Sequence, residues 1–353
     1  MKRHHFFVLS SSILILFFAC FERQSHEVTA PEIPHYDVTG VVRDIDSGEI
    51  LANCIISLEA VSLAFPEVEF TAISDTSDST GAYQFKAITP GQYNISLLRD
   101  GYRVMNERLL LEYVSKTFDL NAPKPLVTHD FYPSSYYGKC WGMHWVYINK
   151  MARIVLWRFS KEGDNRTTGI RIDEGNFDDG FTVQGRKSLK PENPALKGLA
   201  FLSNYWAGDK SGSSIYFVNQ GNSKVAGQYE VPYQIEDLTA SQTNLWASTL
   251  SGHILKFTDK PAQLEQDFHL PDEKFAGIAW DQKSIWVGEV NRNLIIQRDN
   301  EMKPQQTFRA IYLDLQQNQH EVTPLQYLAF DFYRKLWIAN DSGYYRFEIP
   351  PSD

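Results

Sequence analysis

Four polar side chains recur at one offset in the C-terminal two-thirds of the chain, and they are the first candidates for chemistry. The positions three residues after Trp206, Trp246, Trp286 and Trp337 hold Asp209, Thr249, Glu289 and Asn340. Two carboxylates and an amide are hard oxygen donors of the kind that hold Ca²⁺. Asp209, Glu289 and Asn340 are therefore the candidate residues for a metal or another polar ligand, and Thr249 interrupts the set with a hydroxyl. His144 and Glu289 form a second pairing, an imidazole and a carboxylate able to do acid–base work. A lone His in an aromatic strand is more often a hydrogen-bonded core residue, and His253, which follows a glycine, reads as an exposed turn residue. No G-x-S-x-G, H-E-x-x-H, C-x-x-C or phosphate-loop pattern occurs, so no catalytic residue is assigned. The expectation is a solvated polar rim without a cofactor, Ca²⁺ being the one ion the donors would suit.

These residues are positioned by a repeat. Segments beginning at Leu196, Ile235, Phe275 and Leu325 align with one another, and Trp206, Trp246 and Trp286 are spaced by 40 residues, with Trp337 following after 51. Each unit shows three short strands, and GQYEV, EQDFHL and QTFRAIYL supply a fourth to the first three units. A sustained period of this length predicts propeller blades. One indole per blade would wedge the blades together by burying a large apolar area. Residues 141–186 suffice for one divergent blade, Gly142-Met143-His144-Trp145 echoing Gly277-Ile278-Ala279-Trp280. The last unit runs out after three strands, and the stretch near Thr128 to Tyr132 is expected to complete it, removing an open edge. The count is five blades, with six as the alternative, and the candidate residues should emerge on one face of the ring.

The units resemble the NHL and streptogramin-lyase type of propeller, which reads G-I-A-x-D, then W/Y-V, then G-x-I over its first three strands. That resemblance implies two outcomes. Gluconolactonase-type relatives hold a divalent metal through carboxylate and amide ligands, and lyase-type ones use a His and a Glu. A metal-dependent lactonase-like or lyase-like enzyme is thus the alternative to a binding protein.

Residues 36–121 have a different texture. Seven short alternating segments, YDVTGVVRDI, NCIISLEAV, FTAIS, AYQFKAI, QYNISLL, NERLLLE and KTFDL, are separated by turn signals at Asp46-Ser47-Gly48, Thr80-Gly81, Pro90-Gly91 and Asp100-Gly101. They predict a seven-stranded β-sandwich, with Pro90 presetting a turn that Gly91 completes. The run SDSTGAYQFKAITPGQYNISLLRDGY from Ser77 resembles the carboxypeptidase regulatory-like domain, a transthyretin-like sandwich, through Asp78, Gly81, Tyr83, Phe85, Pro90, Gly91, Tyr93, Gly101 and Tyr102. The resemblance implies a non-catalytic accessory module of carbohydrate-binding-like fold. Residues 122–135, with three prolines, divide the sandwich from the propeller (136–353), and all eight Trp lie beyond them.

The N-terminus sets the address. Lys2 and Arg3 precede an apolar run, Phe6 to Ala19, too short to span a bilayer but suited to a signal peptide. The ending Leu16-Phe17-Phe18-Ala19-Cys20 resembles the lipobox of bacterial lipoproteins, which implies lipidation of Cys20, with residues 21–35 as a polar tether. The net charge of −9 is spread without a basic patch, which excludes nucleic acid as a partner. Cys54 and Cys140 are expected to be inert buried thiols. Together these readings predict an all-β protein outside the cytoplasm, in the periplasm or at the cell surface. It is attached to a membrane through lipid and recognises a protein or glycan of the cell envelope through the propeller face.

Overall fold

The computed structural model describes residues 32–137, 140–148, 151–159, 170–176, 182–188, 196–209, 212–219, 225–258, 263–331 and 333–350. The signal segment and Cys20 lie outside the described residues. The chain is all-β, built of several sheets whose pairing is mostly antiparallel.

Eight strands come first: β1 (Tyr36–Asp44), β2 (Ile55–Leu63), β3 (Ile73–Thr76), β4 (Ala82–Ile88), β5 (Gly91–Arg99), β6 (Tyr102–Leu111), β7 (Lys116–Thr117) and β8 (Leu120–Ala122). They make two sheets, one with β1 between β4 and the short β7 and β8, the other in the order β3-β2-β5-β6. Period-two alternation directs one face of each sheet inward: in β5, Tyr93, Ile95 and Leu97 are buried and Gln92, Asn94 and Ser96 are less so. Val38, Val42, Ile56, Leu58, Phe85 and Leu109 share a core with them. The expected segment KTFDL is two strands, pairing parallel to β1 at successive points. Gly81 and Gly101 adopt the positive φ that their turns require. Gly91 has a different role. It opens β5, where a Cβ would lie 2.5 Å from the Ser62 carbonyl oxygen, so close approach of β2 demands it.

Next come β9 (Lys124–Thr128), β10 (Phe131–Pro133) and a single helical turn, α1 (Ser134–Tyr137). Five sheets follow. The first is β11 (Cys140–Ile148), β12 (Met151–Phe159), β13 (Ile170–Asn176) and β14 (Thr182–Ser188). The second is β15 (Leu196–Leu202), β16 (Asn204–Asp209), β17 (Ser214–Val218) and β18 (Val225–Glu230). The third is β19 (Asp237–Ala240), β20 (Asn244–Ser248), β21 (His253–Thr258) and β22 (Leu264–His269). The fourth is β23 (Phe275–Trp280), β24 (Ile285–Glu289), β25 (Leu294–Arg298), β26 (Pro304–Leu313) and β27 (Gln319–Glu321), with β9 alongside β26. The fifth is β28 (Tyr327–Phe330), β29 (Leu336–Ala339) and β30 (Gly343–Phe347), and its fourth strand is β10.

The first strands of these sheets touch in a cycle: β11 contacts β15, β15 contacts β19, β19 contacts β23, β23 contacts β28, and β28 contacts β11. Being flanked on both sides, they are buried almost continuously rather than alternately, as FAGIAW of β23 illustrates. Trp206, Trp246, Trp286 and Trp337 all lie on second strands and are buried. Each stabilises its sheet contacts by about 4 kcal/mol, taking the area an indole covers at ~25 cal/mol per Å². The closing strand falls slightly later than expected, Phe131 facing Tyr345 and Tyr132 facing Tyr344. Lys124 to Thr128 instead run parallel to Phe308 to Tyr312 of β26.

Candidate functional site

At the recurring offset, Asp209 and Glu289 end the second strand of a sheet and Thr249 and Asn340 follow it by one residue, and their hydrogen bonds are local. Glu289 is fully buried, and its carboxylate accepts from the backbone N–H groups of Asn291 and Arg292, each at 2.9 Å, and of Lys274 at 3.4 Å. The Arg292 guanidinium adds a fourth bond. Asn340 Oδ1 accepts from Ser342 and Gly343, and its amide donates to the carbonyls of Thr323 and Pro324. Thr249 Oγ1 accepts from the His253 N–H at 2.9 Å and lies 3.1 Å from the His253 carbonyl oxygen. Asp209 accepts from the Tyr216 hydroxyl at 3.1 Å, across the same hairpin. The repeat thus conserves a position that closes the turn between second and third strands. Among the described residues no three His, Cys, Asp or Glu side chains are grouped to hold a metal ion. Among the described residues no hydrogen bond joins His144 to Glu289, and burial pushes its imidazole down to about 4.

The same internal alignment exposes a second offset on the innermost strands. Gly142, Gly198, Asp237, Gly277 and Tyr327 are equivalent positions. A Cβ on Gly142 would lie 2.5 Å from the Gly198 carbonyl carbon, and one on Gly198 would lie 2.9 Å from the Asp237 Cα, so backbones meet at the axis. The equivalent position in the third sheet carries the fully buried Asp237 carboxylate. Its Oδ2 accepts from the N–H of Ile278 at 3.1 Å and of Leu328 at 3.2 Å, on two other sheets. The amides of Leu238 and Leu199 also favour its charge, while Oδ1 has no hydrogen bond of ordinary geometry. Burial outweighs these hydrogen bonds and pushes the carboxyl well above the usual range. One position nearer the entry of each strand, Lys197 and Glu236 pair at 2.7 Å.

A cluster missed by the sequence reading lies beside the third sheet. His253 is buried, in contrast to the exposed turn residue expected, and its Nδ1 is 2.7 Å from Asp267 Oδ1. Its ring is stacked between Tyr233 at 3.8 Å and His269 at 4.3 Å. Two imidazoles stacked face to face keep their lone pairs in parallel planes, so they do not converge on one ion. The available signal was the alternation in EQDFH, where Asp267 and His269 are two apart and so share one face of the strand, the face on which His253, paired with His269, also lies.

A cavity of about 440 Å³ opens between the fourth and fifth sheets. It sits at the turns joining their first and second strands, at the opposite end from Glu289 and Asn340. Trp286, Phe330 and Tyr333 give it aromatic walls, and Gln297 and Gln306 give it amides. The turns are fixed by carboxylates. Asp281 Oδ1 accepts from the N–H groups of Lys283 and Ser284 while Oδ2 accepts from the Trp286 indole at 2.8 Å. Asp331 does the same for Tyr333, Lys335 and the Trp337 indole. Cys54 and Cys140 are buried and unbonded to each other.

No protein-family model and no curated protein sequence matches the chain. Among solved structures, the glutaminyl cyclase of Myxococcus xanthus is similar over 65% of this chain and 100% of that one, at 8% identity and a TM-score of 0.47. A streptogramin B lyase structure is similar over 73% of this chain and 87% of that one, at 12% identity and a TM-score of 0.36.

Proposed function

We propose that the chain is an extracytoplasmic carbohydrate-binding protein, held to a bacterial membrane through lipid on Cys20. In this reading residues 36–121 are a β-sandwich, 122–135 carry the closing strand, and 136–353 form a five-bladed β-propeller of the streptogramin-lyase type. The cycle of inner strands and the completion of the fifth sheet by β10 support the blade count. The observation that carries the function is the cavity between the last two blades. Its size is that of a small-ligand site. The exposed Tyr333 and the half-buried Phe330 offer faces for the C–H side of a sugar ring, and glutamine amides can both donate to and accept from hydroxyls. Envelope glycan is favoured over a protein partner because the recess is concave and amide-lined rather than a flat apolar patch.

The test is a glycan array probed with the chain and with Tyr333→Ala, whose side chain is 70% exposed and whose loss leaves the core intact. Binding to a defined sugar that drops about tenfold in the variant supports the reading. Silence on glycans together with specific capture of an envelope protein would replace it.

A further inference from the structure

The cavity between the fourth and fifth sheets carries charge that a neutral sugar does not need. Lys283, Arg334 and Lys335 line it in a chain whose net charge is −9. Lys283 and Arg334 are exposed, and neither has an ion-pair partner among the described residues. Lys335 pairs with Glu348 at 2.9 Å, and that carboxylate is 82% exposed. The pairing holds the Glu348 carboxyl below its ordinary range. The other acid in the wall, Asp281, has both oxygens occupied by two backbone amides and an indole, so its charge is already met inside the wall. The solvent-facing balance is therefore three cations against one displaceable carboxylate. Cations gathered beside aromatic faces in an acidic protein suit a ligand that brings its own negative charge.

Resting on the carbohydrate-binding reading, we propose that this cavity selects an anionic sugar. Lys283 and Arg334 engage the carboxylate or sulfate of the ring, and Glu348 occupies Lys335 until the ligand's anion displaces it. Arg334 is held in the left-handed region at φ +64° by the turn that Asp331 caps, so its side chain leaves the backbone from a fixed point of the cavity rim. The anion comes in two chemical sources, and the experiment separates them.

Full-length protein in detergent is titrated calorimetrically with trigalacturonate, with a sulfated heparin disaccharide and with neutral maltotriose. The expected result is at least about tenfold preference for one anionic probe over maltotriose. Lys283→Gln combined with Arg334→Gln should lower that affinity about tenfold, and Glu348→Gln, which frees Lys335, should raise it several-fold. These three side chains are exposed or half-buried, and an unchanged melting temperature verifies that the variants fold. Equal affinity for neutral and anionic probes, or a Glu348→Gln variant no tighter than the parent, overturns the anion proposal and leaves carbohydrate binding standing. Absence of binding to all three probes, with silence on the glycan array, overturns both.

Discussion

Asp281 and Asp331 each divide one carboxylate between a turn and an indole. In the third sheet the corresponding position is Ser241, whose hydroxyl serves the turn through Asn244 but leaves the Trp246 indole N–H without a partner. A buried donor left unmet costs about 1–3 kcal/mol. Ser241→Asp should recover about 1 kcal/mol of that, seen as a higher urea midpoint with an unchanged slope; no shift would mean that the indole is satisfied otherwise. Asp237 invites the opposite test. Its folded carboxyl titrates above its unfolded one, so its contribution is favourable below the unfolded value and is lost as pH rises through the folded one. Asp237→Asn keeps an oxygen for Ile278 and Leu328, so it should preserve stability at neutral pH and remove that part of the pH slope. Asp237→Ala strands those amides beside a cavity and should cost about 3 kcal/mol, measured by thermal melting at several pH values. Residue types were legible in the sequence, but their partners were not. Glu289 and Asn340 read as donors for an ion because spacing reports position in a repeat, not which way a side chain turns at a strand end.

At the level of elements, the indole spacing revealed four of the five sheets, and the fourth strands GQYEV, EQDFHL and QTFRAIYL fall on β18, β22 and β26, the first two running one residue past the strand. The approach of inner strands was hidden, since Gly142, Gly198 and Gly277 look like ordinary strand glycines until their neighbours are known. The closing strand was legible as a missing partner, and its register was set by aromatic packing: Phe131 stacks on Tyr345 at 4.7 Å and meets Tyr312 at 5.1 Å. Phe131→Ala should therefore loosen the fifth sheet and cost about 3 kcal/mol. Hydrogen exchange should show faster exchange at β30 than at β20; equal protection would place the strength of the ring elsewhere.

Across the whole molecule, β26 belongs to two cores. Phe308 and Ala310 pack in the ring, while Ile311 and Leu313 are buried with Val42, Leu97 and Val104 of the N-terminal sheets. Asp46 accepts the Thr307 N–H at 2.8 Å across the same junction. The proline-bearing stretch that reads as a divider is itself mostly paired strand. Ile311→Ala should lower the melting of both parts in one calorimetric transition, by about 2–4 kcal/mol. Two separated transitions would show that the parts fold independently. The pairing of β10 with β30 has a consequence for how the chain reaches this state. The Arg346 guanidinium holds Asp130 at 2.7 Å across a separation of 216 positions. Asp130 is thus synthesised 216 residues before its mate. Until that mate emerges the circle stays open, and β30's place beside β29 is an unpaired edge on which another strand could add.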